Sequence, residues 1–498
     1  MGGSEAVCTC GQVFHFMNEP SFLLRGLIDR SRRVFALFAV TLILQAGCTR
    51  YQPKPIVLDQ TAGNLEARSL TNADLRQFLS TNLGREFSEW PPQSWSLETL
   101  TWVAFYYHPS LDVARAQWAV ATAGRKTAAG RPNPTASVTP GYNFNAASGL
   151  SPWFPGLSFD VPIETAGKRA RRMSRAEHLA ESARLSIATA AWQVRSALRV
   201  ALTDAATAGR RRELVRGQMD AQGMIVQLLE QRLNAGNTSA LDVSVARLPL
   251  VKLQADFADA RRLEVESRAR LAEALGVPAS AVEKLRLHGP IASEAMPEVT
   301  SDVARRGALQ HRADVLSALA AYEASEASLQ VEIARQYPDV HLGSGYQWDQ
   351  GENKWNLALT VELPLLNRNQ GPIAEAEARR REAAAQLIAL QARVIAEIDR
   401  AVALSRASVE QLAGMRKVRE ALRDQLKLVE ARLNAGGADR LTVEMAKTEL
   451  RSSELALLDA EIRTAQAIGQ LEGALQVPFQ ALSVIEHERD GPTKKDCL

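Results

Sequence analysis

Few side chains in this 498-residue sequence are placed to do chemistry. The four cysteines are Cys8, Cys10, Cys48 and Cys497, all near the ends, and the seven histidines are scattered. Neither set has the spacing of a metal site. No nucleophile stands beside a base and no glycine-rich loop is built for phosphate, so the chain reads as a non-enzyme without catalytic residues, metal or cofactor. Cys48 is the exception. Arg25, Arg30, Arg32 and Arg33 precede an apolar run at 34–44 that is too short to span a bilayer. The run ends in Leu44-Gln45-Ala46-Gly47-Cys48, which resembles a lipobox, where small residues precede a cysteine that is acylated and becomes the mature N-terminus. Gln45 departs from the usual aliphatic residue. Residues 1–47 therefore read as a signal peptide with an extension before Met17, and 48–96 as a lipidated segment laid extended over the surface.

A second chemical candidate is the basic run Lys168, Arg169, Arg171, Arg172 and Arg175. It fits either anionic lipid headgroups or a solvated helix face. Elsewhere 59 basic and 56 acidic residues nearly cancel and are spread along helices. That distribution excludes a nucleic-acid partner.

The elements that carry these residues are duplicated. Arg232-Leu233-Asn234-Ala235-Gly236 returns as Arg432-Leu433-Asn434-Ala435-Gly436, and Leu241 with Val243 returns as Leu441 with Val443. Leu271, Leu275 and Pro278 match Leu471, Leu475 and Pro478, while Pro134 and Pro162 answer Pro338 and Pro364. Ordered matches across helix, turn and strand mean that the whole unit is repeated. One unit covers 97–276, the other 301–476. A segment at 277–300 joins them, and 477–498 closes the chain; both non-helical pieces are expected partway up the helices.

Each unit opens with a helical stretch, 97–129 or 301–334, and then alternates. Leu157, Phe159, Val161 and Ile163 share one face, as do Leu357, Leu359, Val361 and Leu363, with polar or small residues opposite. Period-two alternation predicts one β-hairpin per repeat, at 134–163 and 338–365. Trp153, Phe154, Trp348 and Trp355 lie where interfacial anchors belong. A helix without internal proline follows each hairpin and extends about 100 Å. It ends at a turn, 234–237 or 434–437, before a returning helix. Since the two short helices together match the long one in length, they can cover it end to end. Gly236 and Gly436 read as left-handed helix caps. Four strands cannot close a transmembrane barrel, so several protomers must pool them.

These features together resemble the TolC-like outer membrane efflux protein family over nearly all of the mature chain. The resemblance implies a mainly α fold with a small β part: a coiled-coil periplasmic tunnel, and four strands per protomer in a homotrimeric twelve-stranded barrel. It implies the outer membrane as location, lipid as surroundings, and a tripartite efflux role with a periplasmic adaptor and an inner-membrane RND-type pump. Val161-Pro162-Ile163-Glu164 with Gly167-Lys168-Arg169, and 364–371, look most like the CzcC-type cation efflux lipoproteins, which implies metal cations as cargo. Organic solutes, drugs or type I protein secretion stay open as cargo, as does a lipid-anchored scaffold without a channel. By the same resemblance Arg232, Leu233, Gly236, Arg432, Leu433 and Gly436 would meet the adaptor. Asp242, Asp439 and Glu444 are candidates for the periplasmic aperture, with Thr442 standing where the second repeat lacks the aspartate of the first.

Overall fold

A computed structural model describes residues 51–287 and 301–478. The leader, Cys48 and the other cysteines lie outside the described residues, and 277–300 and 477–498 are described only in part. Residues 1–62 form one unit, whose described part carries the start of α1 (Leu58–Glu66). Residues 63–498 form the other.

The larger unit begins with α2 (Ala73–Leu83), and α3 (Leu97–Tyr107) follows. The first repeat continues through α4 (Pro109–Ala129), β1 (Thr135–Thr139), β2 (Gly156–Ile163), α5 (Lys168–Asn234) and α6 (Ala240–Leu275). The second runs through α7 (Ser301–His311), α8 (Ala313–Ala334), β3 (Val340–Asp349), β4 (Glu352–Val361), α9 (Gln370–Asn434) and α10 (Arg440–Leu475). At 67 and 65 residues, α5 and α9 are each about 100 Å long.

Packing follows the connectivity. On one side α5 carries α4, with α3 and then α6 continuing below it; on the other it carries α8 above and α10 below. Beyond α8 and α10 lies α9, which packs on α7, α8 and α10. The strands keep the same order, β1-β2-β3-β4, all antiparallel. Each strand sits at the head of one helix in the row, and among the described residues neither margin of the row has a further neighbour.

The helical stretches expected at 97–129 and 301–334 are both broken. Pro109 opens α4, and His108 caps it through Nδ1, 3.3 Å from the Ser110 N–H. A proline is tolerated in a first turn because that N–H has no helical partner. In the second repeat Arg312 marks the break, held by a bidentate pair to Asp314 (2.7 and 3.0 Å), by Glu397 at 3.2 Å and by the Ala474 carbonyl at 2.7 Å. Arginine is no capping residue, so these tertiary contacts place the break.

Each break receives the end of a returning helix. Gly276 ends α6 at φ 71°, and a Cβ there would lie 2.9 Å from the Tyr107 carbonyl oxygen. Arg68 donates to that oxygen (2.6 Å) and to the Gly276 carbonyl (2.8 Å). Gln476 takes the matching place after α10 at φ 52°, its Oε1 accepting from the Ala313 N–H.

The N-terminal stretch is not laid extended over the surface. Leu70, Leu75, Leu79 and Trp95 are fully buried against α3, α5 and the end of α6. Asn72 caps α2 at the Asp74 N–H, and the leucines fall on one face of that helix. Their burial supplies about 1.5–3 kcal/mol for each large side chain, which the extended form would forgo.

Gly276→Ala should lower the thermal unfolding midpoint of the purified protein by the equivalent of about 1–3 kcal/mol, because positive φ and the Tyr107 carbonyl both oppose a Cβ. Gly63→Ala, in open space within α1, should leave it unchanged or slightly raised. Equal midpoints for Gly276→Ala and wild type would contradict the close approach.

Candidate functional site

Two surfaces have features that packing alone does not require: the sheet and the paired turns at the far end of the long helices. In the sheet, register aligns the alternation across all four strands. Val138 pairs with Leu157, which pairs with Tyr346, which pairs with Trp355. The next rung on this face is Phe159, Ser344 and Leu357, and the one after it Val161, Leu342 and Leu359. One face is therefore predominantly apolar, broken only by Ser344 and by Asn353 at the loop end, and it is exposed, with Val138 at 74% and Leu357 at 76%. A soluble protein rarely leaves such a patch bare. The opposite face carries Ser137, Ser158, Asp160, His341, Gln347, Lys354 and Thr360, with His341 Nδ1 2.8 Å from Asp160.

Aromatic residues gather at the loop ends of the apolar face. Tyr346 and Trp355 pack at 4.8 Å between ring centroids, and Tyr142 and Trp153 at 5.0 Å. Trp348 shares their face, whereas Phe154 folds over Gly141 on the other. Strand β1 ends at Thr139 because Pro140 offers no N–H to the ladder, and pairing resumes as an isolated Tyr142–Trp153 bridge. In the second hairpin Gln350 and Gly351 both take positive φ, the type I′ turn that matches strand twist.

At the helix end of the sheet the basic run is largely consumed. Lys168 pairs with Asp339 at 2.7 Å, Arg172 with Glu164, and Arg169 donates to the Ala129 carbonyl. The sequence offered no signal for these partners, which come from other elements. Burial opposes the Asp339 charge, but the Lys168 ammonium and the Thr165 N–H together hold its carboxyl below the usual range.

The two turns have the same backbone. Asn237 N–H donates to the Arg232 carbonyl and Gly236 N–H to that of Leu233; Gly437 and Gly436 repeat both bonds on Arg432 and Leu433. These are Schellman caps, and Gly236 and Gly436 share φ 73° with open space around them. The returning helices differ in a useful way. Ser239 caps α6, and Asp242 three residues on completes a capping box. Asp439 caps α10, and Thr442 three residues on donates back to it. Carboxylate and hydroxyl have exchanged places.

That exchange sets the charges. Hydrogen bonds from the Ser239 hydroxyl, the Ser239 N–H and the Thr238 hydroxyl hold Asp242 below the ordinary carboxylate range. Asp439 is pulled to about 2, first by the Thr442 hydroxyl and N–H and then by Arg232, with which it pairs. Thus one turn is tied to the start of the helix after the other. Glu444 is met by Lys447 at 2.9 Å. Arg432 has no carboxylate within ion-pair distance among the described residues. No group of three or more metal-ligating side chains occurs among the described residues, and no helix there is long and apolar enough to cross a membrane.

Comparison with known proteins decides the family. The model of the outer membrane efflux protein family matches residues 105–277 and 305–475, one stretch in each repeat. The chain belongs to that family. The cobalt-zinc-cadmium resistance protein CzcC of Cupriavidus metallidurans is 26% identical over 259 residues, 51% of this chain and 61% of that protein. Outer membrane protein OprJ of Pseudomonas aeruginosa is 26% identical over 286 residues, 53% and 57% of the two chains. The matched part thus spans about three-fifths of either relative. The solved outer-membrane channel OprN has the same fold, with a TM-score of 0.65 at 21% identity over 87% of this chain and 99% of that one. This outer membrane efflux protein therefore has the TolC-like architecture of helical tunnel and barrel strands, and the outer membrane is its location.

Asp439→Asn, which keeps the cap and removes the charge, should lower stability by less than about 1 kcal/mol, as exposed pairs do. Asp439→Ala should lose about 1 kcal/mol more with the cap. Because the folded value lies below the ordinary one, the charged form's contribution is present above pH 3.8 and lost only as pH falls through about 2. The wild-type minus Asp439→Asn difference in thermal midpoint should therefore be flat from pH 7 down to 4. A difference that decays between pH 6 and 4 would contradict the assignment.

Proposed function

We propose that this chain is the outer-membrane channel of a tripartite efflux system, working as a homotrimer beneath which a periplasmic adaptor links it to an inner-membrane RND-type pump. The observation that carries the reading is the strip itself: four strands in register, apolar on one face, with a free edge on β1 and on β4, each above a helix that also lacks an outer neighbour. Three such strips supply twelve strands and a continuous helical wall. The polar strand face then lines the lumen, and the exposed aromatics lie at the membrane boundary in outer-membrane lipid.

At the other end the turns at Arg232, Leu233, Gly236, Arg432, Leu433 and Gly436 are the adaptor's docking points, their exposed caps leaving room for a partner helix. Asp242 and Asp439 carry the aperture charge, with Glu444 already balanced by Lys447. Within one protomer Arg232 of the first turn holds Asp439; the repeat brings Arg432 to the matching helix start of the next protomer, where Ser239 takes the place of Asp439. Cys48 is the lipid anchor. The cargo is a metal cation, supported by the similarity to a protein whose name specifies cobalt, zinc and cadmium resistance.

The cargo is tested by deleting the gene and challenging the strain with zinc, cobalt, cadmium and copper beside a drug panel. Lower metal tolerance with unchanged drug tolerance is expected, and a drug-only phenotype would overturn the metal assignment while leaving the channel. A Cys48→Ser variant should lose labelling by a fatty-acid probe; retained labelling would refute the anchor. Cysteines replacing Ser239 and Arg432 in one chain should cross-link copies into a trimer on non-reducing gels, whereas either single replacement should not. Only monomers from the double variant would contradict the proposed contact.

A further inference from the structure

The junction at which α8 begins and α10 ends is packed with apolar side chains toward α9 and is polar toward α5. Between α5, α9 and this junction lies a cavity of about 750 Å³. Four arginines line it, Arg199 from α5, Arg312 from the break, and Arg393 and Arg400 two turns apart on α9, against only two lining carboxylates, Asp314 and Glu397.

The pairing leaves positive charge over. Arg312 takes both Asp314 and Glu397. Behind the wall Glu472, 3% exposed, is shared between Arg195 at 2.5 Å and Arg199. Arg393 and Arg400 have no carboxylate within ion-pair distance among the described residues. Five arginines thus face three carboxylates.

Arg199 adds an independent observation. It is 8% exposed, it lines the cavity, and its Nε has no hydrogen-bond partner. Its place is built by Gly469, where a Cβ would come within 2.7 Å of the Arg199 Cδ. That nitrogen is enclosed against Gly469 and out of reach of the cavity, so Arg199 acts on a bound group through its charge, its one carboxylate, Glu472, being shared with Arg195.

We propose that this cavity binds a small polyvalent oxyanion carrying carboxylate or phosphate groups, bridging Arg393 and Arg400 with the charges of Arg199 and Arg312 beside it. Guanidinium forks suit the planar or tetrahedral oxygens of these groups, and the residual charge calls for at least two negative charges. The site lies in the helical wall, far along the chain from sheet and turns, and it stands whatever cargo the channel carries.

Isothermal titration calorimetry on the detergent-solubilised full chain at low ionic strength tests it, with citrate and inorganic pyrophosphate in separate arms. Saturable binding of at least one probe is expected, and the tighter arm identifies the preferred group. Arg393→Gln with Arg400→Gln, both at exposed backbone positions, should weaken it at least about tenfold with an unchanged melting midpoint. Arg380→Gln with Arg381→Gln, an equal charge change higher on α9, should leave it unchanged. Absence of saturable binding in both arms at millimolar anion, full binding by the Arg393/Arg400 variant, or equal loss in the Arg380/Arg381 variant would each overturn the proposal.

Discussion

Unpaired backbone at a sheet edge is the constraint on which this structure turns. In hydrocarbon every N–H and C=O must find a protein partner, and a sheet with a predominantly apolar face is committed to hydrocarbon or to another apolar surface. Here, among the described residues, β1 and β4 each have one side without a partner. The same incompleteness runs down the molecule, since α9 and the α4–α6 margin stand at opposite ends of the helical row. Curling the strip onto copies of itself satisfies both deficits with one operation. Helices of this length, with their two larger apolar cores at the junctions between end-to-end helices, are intelligible as a segment of a cylinder wall and not as a free-standing domain.

Much of this was legible in the sequence because it depends on periodicity and repetition, which are local. Alternation at 157–163 and 357–363 fixed the apolar strand face, and the lack of proline in the long helices fixed their length. Shared Leu-Asn-Ala-Gly strings fixed both turns. What escaped depends on distant partners. The Arg312 break carries no capping signal; it exists because Asp314, Glu397 and the Ala474 carbonyl converge on one guanidinium. His108-Pro109 did carry a signal, proline in a first helical turn, and that signal was outweighed by the helical pattern around it. Residues 70–95 look mixed in sequence because their apolar side chains serve a core assembled from three other elements.

The turns show how a duplicated unit acquires different roles. Both keep the same glycine caps and arginine, so the backbone of each hairpin is held alike. Moving the carboxylate from the third helical position in one copy to the cap in the other keeps every capping bond supplied and shifts the negative charge by one helical turn. In its new place it reaches Arg232 and ties the two halves of the protomer together. Comparing single positions, aspartate in one repeat against threonine in the other, misses this exchange; comparing the hydrogen-bond groups reveals it.

Closure of the strip on its own copies is tested most directly by native mass spectrometry of the full chain released from outer-membrane detergent micelles. A mass of three chains that persists on dilution is predicted. A monomer, or a complex with a different protein occupying the margins, would contradict the account.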